Sequence, residues 1–173
     1  MSVRLAEAPV LHRHGDGALE RARHAVGAAR TASRLHLASA LLVEGLLTTE
    51  TPRPDHALPR LEEALGLLAG ECGPEATRLW AQVRIALGRV HRRSGRHREA
   101  ERELRQALDA VEPESLDAVL VLNELGATRR GAGEHDQAEA WYRRALALAE
   151  SASGLGSPQA VAILIEVEAP PAA

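Results

Sequence analysis

The chain has 173 residues, 45% of them hydrophobic, and a formal net charge of −3. That size and balance suit a folded domain with its own core, and no apolar run reaches the roughly 18 residues a transmembrane helix needs. All 21 basic residues are arginine, which removes phosphate-loop, Schiff-base and general-base lysines, and with them several large enzyme classes.

In chain order, apolar spacing and Pro/Gly punctuation predict helices over 2–13, 16–31, 34–49, 55–70, 74–94, 97–111, 114–132, 135–152 and 158–168, with no strand. The stretches "GPEA" at 73–76 and "SPQA" at 157–160 each put a proline in a first helical turn, and "EPES" at 112–115 is a weaker start. The expected organisation is one domain over 1–168, closed by the helix at 158–168, with a loose tail at 169–173. The N-terminal stretch has no cationic start followed by an apolar core, so no secretory leader is expected. A single Cys72 fits a reducing, cytoplasmic setting.

Residues 85–112 and 123–150 align without a gap at an offset of 38, with identity in 11 of 28 columns. The shared interval is a glycine, then alanine at +12, a large apolar residue at +16 and alanine at +19. It occurs as Gly88, Ala100, Leu104, Ala107 and as Gly126, Ala138, Tyr142, Ala145. Upstream it recurs as Gly45, Ala57, Leu61, Ala64, and more faintly as Ala6, Ala18, Ala22, Ala25. Each unit is therefore expected to be an antiparallel helix pair. Its small residues allow close approach, its large residue fills the space beside them, and Gly95 or Gly133 makes the turn at positive φ. One such pair cannot bury its own stripe, so the units must stack.

These residues resemble the tetratricopeptide repeat, which pairs Leu-Gly in a first helix with alanine, a large residue and alanine in a second. Leu87-Gly88 and Leu125-Gly126 fill the first pattern. The intervals of 43 residues from Gly45 to Gly88 and 38 from Gly88 to Gly126 exceed the usual repeat and are similar to the longer, kinesin-light-chain-like variety. The resemblance covers 82–165 well, 38–70 moderately and 1–31 poorly. Arg84 and Leu122 depart from its first-helix aromatic, and Glu44 stands where the leucine before Gly45 belongs. It implies an all-α, right-handed superhelical solenoid of about 3–4 repeats with a C-terminal capping helix. The Arg- and Ala-rich, Lys-free usage fits a bacterial source.

Relative to the glycine, positions −3, +1 and +4 share one face of the first helix. They are Ile85, Arg89 and Arg92 in one repeat, Asn123, Ala127 and Arg130 in the next, and Leu42, Leu46 and Thr49 upstream, with Gln82 one turn earlier than Ile85. In the resembling family the asparagine of this face holds the backbone of an extended peptide, and Asn123 falls in that column; Glu124 departs from the second asparagine often found there. Gln82, Ile85, Arg89, Arg92, Asn123, Ala127 and Arg130 are thus the expected groove. From Arg84 to Arg105 there are 8 Arg and 3 Glu, whereas 4 Arg and 11 acids follow Gln106 onward, so a local cationic patch sits inside an acidic chain. A sheltered Arg–carboxylate bond there would contribute about 1.5–3 kcal/mol, an exposed one under about 1 kcal/mol.

The expected role is a non-enzymatic scaffold that takes an acidic segment of a partner protein or peptide, without nucleic acid, membrane or cofactor. A pocket for a small acidic metabolite is the alternative, and a homodimer through the apolar 158–168 helix a further expectation. The eight histidines show neither HExxH nor a His-x3-His pair, so no metal is expected. "HRH" at 12–14 with Asp16 comes nearest. His91, His97 and His135 are expected to pack, as are Trp141 and Tyr142. No G-x-S-x-G elbow or Cys–His pair suggests a nucleophile.

Overall fold

The computed structural model describes the backbone of residues 8–31 and 33–153, and the side chains of 17–31 and 33–151. All regular structure among the described residues is helical: α1 (Ala8–Ala29), α2 (Arg34–Thr49), a short 3-10 turn (Pro54–Ala57), α3 (Leu58–Leu68), α4 (Pro74–Arg93), α5 (His97–Ala110), α6 (Leu116–Gly131) and α7 (His135–Ser153). Two compact units divide the chain at Leu68/Ala69. In the first, α2 packs on α1 and α3; in the second, α4 packs on α5, α6 on α7, and α5 and α4 both touch α6.

The repeated interval sets this packing. A Cβ built on Gly45 would lie 2.5 Å from Leu61 Cδ2, one on Gly88 2.7 Å from Leu104 Cγ, and one on Gly126 2.6 Å from Tyr142 Cδ1. In all three pairs the residue at +16 thus lies directly on the backbone of the glycine. Real side chains do not tolerate such distances, so only glycine lets the helices close this far. The flanking alanines seal the contact: Ala57, Ala64, Ala100, Ala107 and Ala145 are fully buried, and Ala138 nearly so. Burying each large residue contributes about 1.5–3 kcal/mol.

The ends of the helices follow local chemistry. The Ser33 and Ser115 hydroxyls cap α2 and α6, accepting from the backbone N–H of His36 at 3.4 Å and of Ala118 at 3.1 Å. Gly95 (φ 73°) and Gly133 (φ 80°) end α4 and α6 as expected. Each turn carries the same bonds: Arg96 N–H to His91 C=O with Gly95 N–H to Arg92 C=O, and Glu134 N–H to Arg129 C=O with Gly133 N–H to Arg130 C=O.

Two boundaries differ from expectation. α1 runs unbroken through Gly15 and Gly17, where a break between 13 and 16 is predicted; glycine weakens a helix by about 1 kcal/mol but does not forbid it. The helix predicted over 55–70 begins instead as a 3-10 turn, with Leu58 N–H bonded to Asp55 C=O. Pro59 has no N–H to give the α-type bond back to residue 55, so the α-helix starts beside it. The predicted helix at 158–168, the tail, residues 2–7 and the side chains of "HRH" and Asp16 lie outside the described residues.

Candidate functional site

On α4 the expected face extends as Arg78, Gln82, Ile85, Arg89 and Arg92, at steps of 4, 3, 4 and 3. Across from it α6 carries Asp117 and Glu124, two helical turns apart. Arg78 Nε donates to Asp117 Oδ2 at 3.1 Å and Gln82 Nε2 to Oδ1 at 3.5 Å. Arg89 Nε donates to Glu124 Oε1 at 2.5 Å and Arg92 Nη2 to Oε2 at 3.2 Å. Between these clamps Ile85, 5% exposed, is packed with Ala81, Leu104, Ala107, Val121 and Leu125. The α4 face is therefore a zipped seam onto α6. Of the expected groove residues, Ile85 thus lies in the core, and Arg89 and Arg92 share the Glu124 carboxylate. The Glu124 side chain is 8% exposed, and burying its charge is tolerable because two guanidiniums meet it.

The same columns on α6 are Leu116, Leu120, Asn123, Ala127 and Arg130, and this face is different. Leu116 and Leu120 are exposed, at 45% and 39%. Asn123 is half-buried, and its Oδ1 accepts no hydrogen bond among the described residues. Ala127 packs against the cluster of Val119, Leu122, Ala138 and Tyr142. The Arg130 guanidinium lies 5.7 Å from the centre of the Tyr142 ring, within range of a cation–π contact. Among the expected residues, then, Gln82, Arg89 and Arg92 gather at the α4–α6 seam, while Asn123, Ala127 and Arg130 share the outer face of α6. Upstream, in the other unit, Leu42 and Thr49 are buried and Leu46 half-buried.

A second ionic cluster ties α5 to α6. Arg129 meets both Glu101 and Glu134, and Glu101 also accepts from Arg105 Nη2 at 2.8 Å. Burial pushes the Glu101 carboxyl up, but the bonds from Arg105 and Arg129 outweigh it and hold the group below its ordinary range. His97 packs at Gly131, where an added Cβ would lie 2.8 Å from its Cε1. His135, expected to pack in the same way, is exposed among the described residues; His97 has the first helix of the following repeat to lie on. Tyr142 is an anchor, as expected, and half-buried Trp141 lies between both core clusters with Arg144 5.9 Å from its ring centre. No group of three or more metal-ligating side chains occurs among the described residues, and no described helix is long and apolar enough to cross a membrane.

Four residues that matter here are not among the expected groove residues: Asp117 and Glu124, which close the seam, and Leu116 and Leu120, which stay open. The available signal was the seven-residue interval between the two acids, matching the α4 stripe turn for turn.

The tetratricopeptide repeat family matches over residues 77–151, the span of α4 to α7. Similarity of fold extends further. The crystal structure of BtubC (BKLC) from P. vanneervenii superposes with a TM-score of 0.75 over 88% of this chain, at 18% sequence identity. The chain spans 64% of that structure's length. No curated protein matches it. Helix pairs, column pattern and family match agree over α4 to α7: these residues form repeats of the tetratricopeptide type, within an all-α helical-repeat fold. Such repeats generally mediate protein–protein interaction.

Proposed function

We propose that the chain is a non-enzymatic interaction scaffold, and that its recognition surface is the outer face of α6 with the edge of the α4–α6 seam. The observation that carries this reading is the register of Leu116, Leu120 and Asn123 on one face, two exposed leucines beside a half-buried carboxamide. An extended segment laid along this face covers the two leucines. Two half-buried guanidiniums, Arg89 and Arg92, share one carboxylate at the seam, so one positive charge is in excess there, with Arg130 further along α6. An acidic residue in the partner, following its apolar ones, meets that excess.

The test is selection of a random peptide library on the immobilised chain, with counter-selection on the Leu120→Ser/Asn123→Ala/Arg130→Glu variant. Enrichment of peptides joining apolar and acidic residues, held by the wild type and released by the variant, is expected. Peptides retained equally by both would remove this face from consideration.

A further inference from the structure

Glu44 stands in a column where the other two repeats have Leu87 and Leu125, and it is just as buried, at 6% side-chain exposure. Leucine would fill this position, and a carboxylate brought out of water costs several kcal/mol before its partners compensate. The fold alone does not call for it. The carboxylate holds two arginines from different helices, Arg60 Nε of α3 at 3.2 Å and Arg23 Nε of α1 at 3.6 Å. Both are held through Nε. The terminal amino groups of Arg23 have no partner among the described residues, and Arg60 Nη1 only reaches Glu63 at 3.6 Å.

These groups line a cavity of about 600 Å³ within the α1–α3 unit. Arg53 and His56, both exposed, add two further donors from the loop and the 3-10 turn, while Leu19, Pro52 and Pro59 supply apolar wall. Among the lining side chains three guanidiniums stand against one carboxylate, with Glu63 outside the lining taking part of the Arg60 charge, so the wall is net positive. A guanidinium fixed at one edge by a buried acid loses less entropy when its other edge binds an oxyanion. We infer that this cavity is a binding site for a small phosphate monoester. Its dianionic head lies among Arg23, Arg53 and Arg60, and its carbon skeleton against the proline and leucine wall. The cavity size suits a metabolite, being within the ordinary range for small-molecule sites.

Titration of the full chain with glycerol 3-phosphate, followed by calorimetry, tests this. Saturable one-to-one binding is expected, weakening with salt. Arg23→Gln/Arg53→Gln should weaken it at least about tenfold with an unchanged helical spectrum, because neither side chain anchors core. The charge-matched Arg143→Gln/Arg144→Gln variant, on α7 in the other unit, should bind as the wild type does. Equal loss in both variants would reduce the effect to net charge and overturn the site. Succinate binding as tightly would overturn the phosphate assignment. A phosphoserine peptide binding more tightly than glycerol 3-phosphate would overturn the small-molecule assignment, and absence of saturation with all three would overturn the cavity as a ligand site.

Discussion

The outward faces of α4 and α6 occupy the same columns of two successive repeats, yet one is closed and the other open. On α4 the columns hold Arg78, Gln82, Ile85, Arg89 and Arg92, and α6 covers them with two acids and two aliphatic residues. On α6 they hold Leu116, Leu120, Asn123, Ala127 and Arg130, with both leucines exposed. The inward faces, by contrast, are equivalent: Leu104 lies on Gly88 as Tyr142 lies on Gly126. A repeat therefore preserves how each pair closes upon itself, while the outer columns are available for neighbours and partners.

The inward equivalence can be broken most severely. Leu104→Ala should lower the unfolding free energy of the α4–α7 unit by about 2–5 kcal/mol, because both the transfer term and the cavity term apply at a fully buried site. Tyr142→Ala should cost at least as much. Chemical denaturation followed by circular dichroism measures both, and a cost below about 1 kcal/mol for either would show that the two repeats do not depend on the +16 residue alike. Gly126→Ala follows, at about 1–3 kcal/mol, since its Cβ meets an aromatic ring 2.6 Å away that cannot retreat without disturbing the core. Helix propensity alone predicts the opposite sign, so a stabilised variant would refute the close approach.

The outward difference is sharpened by a pair of milder changes. Glu124→Gln should destabilise by about 1–3 kcal/mol, because Arg89 and Arg92 lose a charged acceptor at a buried position. Asn123→Ala, the adjacent residue but on the open face, should change stability by no more than about 0.5 kcal/mol. Equal costs in thermal denaturation would mean that the α6 face is as closed as that of α4.

Much of this was legible before any coordinates, for a physical reason. Contacts within a pair recur at a fixed interval, so Gly88, Ala100, Leu104 and Ala107 announce themselves by spacing, and Gly95 and Gly133 by the turn that only a positive φ completes. Contacts between successive first helices depend on how far each helix is rotated about its axis, and spacing along one helix says nothing of that. Ile85 and Asn123 share a column, and only the flank covered by Val121 and Leu125 makes one of them core. Glu124 looked like a departure from a peptide-holding pattern and is in fact the acceptor for the two arginines expected to await a partner. His97 and His135 share a column too, but Gly131 lies beside only the first.

One column pair separates the two repeats by pH. At the end of α4, Arg96 Nε donates to His91 Nδ1 at 3.0 Å; 38 residues on, the pair is Arg129 and Glu134, donor and acceptor exchanged. Burial, then the neighbouring Arg96 charge, lowers the His91 pKa below its ordinary 6.5, with Arg102 acting in the same direction and Glu103 and Glu99 opposing. The folded chain therefore favours neutral His91 more than the unfolded chain does. Its contribution to stability is complete above pH 6.5 and is lost as the pH falls from there through the lower folded value. His91→Gln keeps an acceptor for Arg96 but does not titrate. Melting temperatures of the two proteins should run parallel from pH 8 to about 7 and diverge below, the wild type falling faster. Curves that stay parallel to pH 5 would show that His91 is no less solvated in the folded repeat than in the unfolded chain.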